Sequence, residues 1–442
     1  MDASSTEQYI PRNYRLGVVN GALVFAATVF LDAQAVIAVF LLRLGASPVV
    51  VGLVTAASFA GFMIVQLPLA PIVERAEHKR RYYVASAVGR VVALGVLVGS
   101  VWVLRDASPW VLGGVVAVML FVYRAAMAVG LLPFYEIVSH SVPSRRRGGF
   151  FAWRRVIGGV LALGGAFLVR YLLDEGRSGL AFPGNFAVVF ACGLLMSGLG
   201  AISFCFVNEP AMPVDRRGVG LVAKLREGWR ESRQNRDYLR LILCRVMAMM
   251  RMVATPFYVI YCLAVLGAPP QAAAVFLVAH KATFLVMNPL WARVSDGKGN
   301  AKLLRAASSL GIVAPVMALL LPWVPSGVVG PPALGLTPQW IVAVALYVVY
   351  WAANCGIVLG GLNYLLEIAP TERRPSYIAI CYIYVVPVTV CAPLAGGWLA
   401  KVLGAYWLNF ALAAVFAVVT AVAAFGLAEP RDREEPQPAV AE

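Results

Sequence analysis

Charged side chains interrupt the long apolar runs of this sequence, and they are the groups best suited to chemistry. Asp32 lies in the middle of VFLDAQAV, and Arg124 lies in the middle of FVYRAAMA. Arg251 and the adjacent pair His280 and Lys281 occupy similar places in two later apolar runs. An ionisable group in hydrocarbon costs about 2.5–3.5 kcal/mol even on a mild insertion scale, so such groups face a cavity more often than lipid. We therefore predict that these side chains face a water-filled cavity rather than lipid.

Asp32 is the candidate proton site, because it is the acid placed at this depth. Dehydration favours its neutral form, and a nearby Arg124 would favour its charged form. A carboxyl group balanced in this way can gain and lose a proton as the cavity opens to each side. The alternative is a static ion pair between Asp32 and Arg124, since buried pairs are also common structural devices. For His280 we expect a hydrogen-bonded neighbour of Lys281 rather than a second titrating group.

The excess of cations over acids in these runs predicts an anionic solute, or a solute with a carboxylate or phosphate group. The alternative is that the cations bond to helix backbones or extend towards the membrane surface. Neutral hydrogen bonds to a solute are expected from the amide side chains of Gln34, Gln66 and Asn354. Each amide alone is more often a contact between helices, worth about 0.6 kcal/mol on average.

The elements that must position these groups are membrane-spanning helices. The chain of 442 residues is 61% hydrophobic and 13% charged, whereas soluble proteins are about 45–50% apolar and about 25% charged. Several apolar runs reach the roughly 20 residues that a helix needs to cross a bilayer. The twelve predicted spans are 17–42, 49–72, 83–104, 110–139, 149–173, 184–206, 240–266, 271–292, 302–323, 338–366, 375–399 and 404–427. Pro256 in span seven and Pro387 in span eleven are expected to permit bending.

The distribution of basic residues predicts the orientation of the chain. One set of short loops carries Lys79, Arg80, Arg81, Arg145, Arg146, Arg147, Arg154, Arg155, Lys298, Lys302, Arg305, Arg373 and Arg374. The other set carries Arg43, Arg105, Arg177 and Lys401. By the positive-inside rule both termini are cytoplasmic, in a multi-pass protein of the inner membrane. The net charge of +15 therefore reflects topology, and we expect no nucleic-acid partner.

The chain contains an internal repeat. The phrase PLAPIVERAEHKRRYYVAS at 68–86 returns as PLWARVSDGKGNAKLLRAASS at 289–309, and LGASP returns as LGAPP. Each copy contains six spans, an even number, so the two halves have the same orientation. The predicted parts are a cytoplasmic N-terminus (1–16), a first six-helix bundle (17–207), a cytoplasmic linker (208–239), a second bundle (240–427) and a disordered cytoplasmic tail (428–442). Leu221, Leu225 and Trp229 form the apolar face of a linker helix that rests either on the membrane or in solvent.

These features resemble the major facilitator superfamily over all twelve spans. The family's signature between spans two and three is matched by Glu74, Arg75, Lys79 and Arg80, although Ala70 and Pro71 stand where glycine is usual. Its second copy is matched by Asp296, Gly299 and Lys302, and the proline–basic motif of the family by Pro143 with Arg146 and by Pro370 with Arg373. The resemblance implies an all-α integral membrane fold with twelve transmembrane helices in two parallel six-helix bundles. It also implies that spans one, four, seven and ten line a central cavity, with spans two, five, eight and eleven beside them.

Acids at the predicted cytoplasmic ends of the spans are candidates for a gate. Glu74 and Asp296 lie in the two hinges, where the partial positive charge of a helix N-terminus would favour an acid. Glu136 and Glu367 are expected to pair with Arg75 and Arg293. Such contacts would hold the two halves together on the inside until they rock apart. The alternative is that these charges only set topology.

The sequence offers no cofactor or metal site that we recognise. The seven cysteines lie singly in apolar runs, without a CxxC pair, and there is no GxxxxGK[ST] phosphate loop. HExxH and GxSxG motifs are also missing, so we expect no enzyme. We predict a monomeric secondary transporter in contact with membrane lipids, with a small-molecule substrate and protons as partners. A multidrug or metabolite exporter and a non-transporting receptor on the same fold are the alternatives.

Overall fold

The computed structural model describes residues 3–74, 76–209, 229–230, 233–268, 270, 272–327, 337–370 and 374–430, with the side chains of 3–10, 66–68, 70–71, 74, 140, 144–145, 148 and 374–376 left aside. The helices of the first sequence half are α1 (Ala3–Phe30), α2 (Val36–Arg43), α3 (Pro48–Glu74), α4 (Arg80–Val103), α5 (Pro109–Ser141), α6 (Ser144–Leu173), α7 (Glu175–Ser178) and α8 (Gly184–Cys205). Those of the second half are α9 (Arg236–Met250), α10 (Thr255–Ala264), α11 (Ala272–Lys298), α12 (Asn300–Leu320), α13 (Pro338–Ile368), α14 (Arg374–Leu403) and α15 (Tyr406–Phe425).

Most of these helices are long and apolar enough to cross a membrane. Within the described residues 11 candidate spans meet that criterion, and they correspond to predicted spans two to twelve. Predicted span one is divided between α1 and α2. The structure therefore confirms an all-α membrane protein, with the number of spans close to the predicted twelve. Helices are expected here because backbone groups in hydrocarbon must find their partners within one segment.

Spans one and seven are each broken near their middle. Span one is non-helical at 31–35, between α1 and α2. Span seven passes through a short 3-10 turn, Arg251–Val253, before α10 begins. Pro256 explains the second break, because a proline lacks an N–H and its ring collides with the carbonyl four residues earlier. α14 continues across Pro387 without a break, and the bending predicted there stays a prediction.

The described chain divides into two compact units. The first contains Met1–Leu221, Thr255–Ala282 and Thr389–Ala405, and the second contains Val222–Ala254, Thr283–Val388 and Tyr406–Glu442. The first unit thus includes α1 to α8, all of α10, the first part of α11 and the last part of α14. Segments of the second sequence half are built into the first unit. The predicted limits of the two bundles, the linker and the tail stay predictions.

Two reciprocal glycine contacts hold α3 against α14 within the first unit. A Cβ atom on Gly52 would collide with the carbonyl oxygen of Pro393, and a Cβ atom on Gly397 would collide with that of Pro48. Small residues allow helix backbones to approach closely in membranes, where packing rather than the hydrophobic effect drives association. A third contact between these helices is that of Thr389 Oγ1 with the sulfur of Met63, at 3.7 Å. We call this row of contacts the α3–α14 seam.

The second unit has its own buried core. Trp291 packs with Leu303, Ala307 and Ile357, and its indole N–H donates to the carbonyl of Ala352 at 2.8 Å. These contacts join α11, α12 and α13 through buried side chains. Trp229, from the predicted linker helix, stacks on the ring of Tyr384 with 5.3 Å between centroids; Leu221 and Leu225 lie outside the described residues.

Candidate functional site

Asp32 lies in the break of span one, four residues before α2 begins at Val36. Its Oδ1 accepts hydrogen bonds from the backbone N–H of Gln34 at 3.1 Å and of Ala35 at 3.0 Å. Its carbonyl oxygen accepts from the N–H of Ile37. A short acidic side chain that accepts from nearby N–H groups competes with a continuous helix for those groups. The break is therefore a local consequence of placing Asp32 within an apolar run.

The second oxygen of Asp32 faces two basic groups from span eight. Oδ2 lies 3.5 Å from His280 Nδ1 and 3.8 Å from Lys281 Nζ. Asp32 is 8% exposed and Lys281 6% exposed. We call these three residues the Asp32 cluster, and all of them belong to the first unit. The cluster joins span one of the first sequence half to span eight of the second half through buried charges.

Arg124 takes a different partner from the one expected. Its Nε donates to Ser58 Oγ at 3.2 Å, and among the described residues no ion pair joins Arg124 to Asp32. The predicted static pair of spans one and four does not form, because Lys281 occupies that role. His280 faces Asp32 directly, whereas we expected it to bond with Lys281.

Of the three amide side chains predicted to bind a solute, one lies beside the Asp32 cluster. Gln34 is buried two residues after Asp32, and its Oε1 has no hydrogen-bond partner in the described structure. A buried amide oxygen without a partner is costly, so it is a ready acceptor for a bound molecule or water. The Gln66 side chain lies outside the described part of α3. Asn354 is half-buried in α13, in the second unit.

Arg251 begins the break of span seven and belongs to the second unit. Its side chain is buried, and its guanidinium carbon lies 5.4 Å from the ring centroid of Tyr350. Arginine above an aromatic face is a favourable cation–π arrangement. Both broken spans therefore carry a buried charge at the break, Asp32 in span one and Arg251 in span seven.

The predicted gate residues are described only in part. Glu136 Oε2 accepts from Lys79 Nζ at 2.9 Å, and Glu367 Oε1 accepts from Asn300 Nδ2 at 2.9 Å. Arg293 and Asp296 are exposed near the end of α11. The Glu74 side chain and Arg75 lie outside the described residues. The gate itself stays a prediction.

Two acids that the sequence analysis did not identify, Glu209 and Glu429, cap the N-termini of α4 and α12. Glu209 Oε1 accepts from the N–H of Lys79 at 2.6 Å and of Arg80 at 3.2 Å, at the start of α4. Glu429 Oε2 accepts from the N–H of Ala301 at 3.0 Å, at the start of α12. The signal was in the repeat, since NEP follows span six and AEP follows span twelve. Acids at helix N-termini are stabilised by the helix dipole and by free N–H groups.

The comparisons with known proteins agree with this architecture. The family model of the Major Facilitator Superfamily matches residues 19–330. A crystal structure of the nucleoside transporter NupG, in a mutant form, has a TM-score of 0.69 at 12% identity, covering 93% of this chain and 99% of that one. A bacterial homologue of the iron transporter ferroportin, in an inward-facing state, gives 0.70 at 14% identity over 94% and 98%. A D-xylose–proton symporter gives 0.67 at 16% identity over 96% and 99%. These likenesses show the fold alone, and no curated protein matches the chain significantly by sequence.

Proposed function

The chain belongs to the Major Facilitator Superfamily, and from this membership we propose a secondary active transporter that moves a small polar or anionic solute by alternating access, driven by protons. The family and the transporter fold are established by the match and by the structural neighbours. The solute, the proton coupling, the inner-membrane location, the cytoplasmic termini and the monomeric state belong to the proposal.

The Asp32 cluster is the observation that supports proton coupling. A carboxylate and an ammonium group 3.8 Å apart attract each other by about 4 kcal/mol at an effective dielectric constant of about 20. Protonation of Asp32 removes that attraction while Lys281 keeps its charge. The energy that one proton delivers is therefore of the size needed to shift a two-state equilibrium by several hundredfold.

The position of the cluster converts this energy into movement. Asp32 lies on the non-helical break of span one, and Lys281 lies on α11, a long helix that runs from the first unit into the second. When the pair is intact, α11 is held against the break. When Asp32 is protonated, α11 is released. A ligand or proton can shift an equilibrium only through its different affinity for the two states, and the Asp32 cluster supplies such a difference.

Transport by purified protein in liposomes tests the proposal. Wild type should accumulate its solute when the outside is acidic, whereas Asp32→Asn should lose accumulation and retain exchange of solute down its own gradient. Undiminished accumulation by Asp32→Asn would contradict the role of Asp32. Proton-dependent efflux of lipophilic dyes from cells would instead favour the multidrug exporter, and binding without any flux would favour the receptor.

A further inference from the structure

A cavity of about 280 Å³ lies within the first unit, between α1, α3, α4, α5 and α6. Its lining contains no member of the Asp32 cluster. Its volume is near the lower end of the range for small-molecule sites. Its wall contains three arginines: Arg155 on α6, which is exposed, and two that are less exposed, Arg90 on α4 and Arg154 on α6. We call this cavity the arginine pocket.

Both arginines lie deep within their helices. Arg90 stands ten residues after Arg80, the first residue of α4, and Arg154 stands ten residues after Ser144, the first residue of α6. The candidate membrane spans begin at Arg80 and at Gly149, so at 1.5 Å per residue Arg90 lies about 15 Å and Arg154 about 8 Å inside its span. Arg90 is only 4% exposed. A guanidinium group stays charged at any physiological pH, so the first unit carries two permanent charges within these spans.

A hydrogen-bonded frame holds the two guanidinium groups on one side of the cavity. Arg90 donates from Nε and Nη2 to Ser86 Oγ, at 3.1 and 2.7 Å. Arg154 donates from Nη1 to the carbonyl of Gly17 and to Asn20 Oδ1. Asn20 in turn donates to the hydroxyl of Tyr83 at 2.8 Å, and the Arg90 guanidinium carbon lies 5.5 Å from the Tyr83 ring. Asn20 and Tyr83 thus connect the two cations.

The frame leaves donors of both arginines unused. Nη1 of Arg90 and Nη2 of Arg154 make no hydrogen bond to any described residue, and neither atom is sealed from solvent. None of the residues that the structure places around the cavity is an acid, and within the described chain neither arginine has a carboxylate within ion-pair distance. Two charges without a counter-ion are costly inside a membrane protein. An anion would neutralise them and take up the free donors.

The wall next to the arginines is aromatic. Phe25, Phe62, Phe134 and Phe151 line the cavity, and the Arg154 guanidinium carbon lies 4.3 Å above the Phe134 ring. A Cβ atom on Gly130 would collide with the guanidinium group of Arg90, so the absence of a side chain there gives Arg90 its place. Cations next to aromatic rings suit a molecule with a charged head and an apolar body.

We propose that the arginine pocket binds the acidic group of the transported solute, which is an organic anion with a carboxylate or phosphate between Arg90 and Arg154 and an apolar body against the aromatic wall. This inference rests on the proposed transport function and names the substrate class for it. Charge-assisted, bidentate hydrogen bonds from guanidinium groups to such anions are among the strongest that proteins make.

Calorimetric binding to the full-length protein in phosphatidylcholine nanodiscs tests the inference. The probes are phenyl phosphate and benzoate, with benzyl alcohol and benzylamine as neutral and cationic molecules of similar size. We expect binding of the two anions only. Arg90→Gln and Arg154→Gln should each weaken it at least about tenfold, and Arg90→Lys and Arg154→Lys should restore part of it. Arg170→Gln is the matched control, because Arg170 lies exposed in the last turn of α6.

Three results would overturn the inference. Equal binding of benzyl alcohol would show that the pocket does not select anions. Unchanged binding in folded Arg90→Gln and Arg154→Gln would show that the probes bind outside the arginine pocket. Loss of probe binding in nanodiscs that contain phosphatidylglycerol would assign the pocket to an anionic lipid headgroup. The two proposals have separate readouts, because proton-driven accumulation tests Asp32 and calorimetric binding tests the arginines. If Asp32→Asn retains proton-driven accumulation while the arginine variants lose binding, proton coupling through Asp32 fails and the pocket stands.

Discussion

The carboxylate of Asp32 and the ammonium group of Lys281 form a buried ion pair, with 3.8 Å between Oδ2 and Nζ. The two residues are far apart in sequence, one from each copy of the internal repeat, yet both belong to the first compact unit. Their contact joins the break of span one to a helix that continues into the second unit. A proton on Asp32 would therefore change a contact between the two halves of the sequence.

Removal of the lysine should destabilise the protein more than removal of both charges. Lys281→Gln leaves the Asp32 carboxylate buried without its cation, and breaking a buried pair in this way costs about 3–5 kcal/mol. The double variant Asp32→Asn with Lys281→Gln should recover a large part of that loss. Apparent melting temperatures of the purified variants at neutral pH measure the effect. Lys401→Gln, at an exposed position in α14, should melt as wild type does, and additive losses in the double variant would count against the pair.

Larger side chains in the α3–α14 seam should separate these two helices. Gly52→Ala and Gly397→Ala each place a methyl group against a backbone carbonyl, which a backbone cannot avoid by a change of rotamer. In a cysteine-free background, a cysteine at the fully buried Thr389 should then react with a water-soluble maleimide several-fold faster. Gly99→Ala is the control, because a methyl group there would meet nothing within 4 Å. Equal labelling in all three variants would show that close packing at Gly52 and Gly397 does not shield position 389 from the maleimide.

The two helix-capping acids should contribute to stability without contributing to transport. Glu429→Ala removes the acceptor for the N–H of Ala301 and should cost about 1 kcal/mol, as for other N-terminal caps. Glu209→Ala should behave alike at α4. Thermal melting measures the loss, and Glu429→Gln should recover most of it because an amide oxygen can still accept. Transport rates per folded molecule should stay close to wild type; a large fall in them would place these acids in the gate instead.

Hydropathy predicted the helices well because each span must be both apolar and long. The ends of α5, α6 and α13 lie within a few residues of the predicted spans 110–139, 149–173 and 338–366. The break of span one was not predicted, since an average over 20 residues cannot register one carboxyl group that captures two N–H groups. A single acid inside an apolar run is the sequence feature that indicates such a break.

The ion-pair partner of a buried charge was harder to predict than its depth in the membrane span. Asp32 was predicted as the buried acid, but the choice of Lys281 over Arg124 depends on how α11 packs, and one sequence without an alignment carries no such information. Arg154 was assigned to the loop charges because it follows a basic cluster, whereas α6 begins at Ser144 and carries it into the membrane. The capping acids Glu209 and Glu429 occur in the repeat as NEP and AEP. Only the structure shows that they accept hydrogen bonds at the starts of α4 and α12.

The pH dependence of one distance in the first unit tests the central claim most directly, and it needs no known solute. Spin labels at Asp106, in the exposed turn after α4, and at the exposed Val275 on the first part of α11 report on the distance between α11 and another part of the first unit. If protonation of Asp32 releases α11, the measured distance should lengthen at acidic pH in wild type and stay constant in Asp32→Asn. The same lengthening in Asp32→Asn, or no change in wild type, would contradict the role of the Asp32–Lys281 pair.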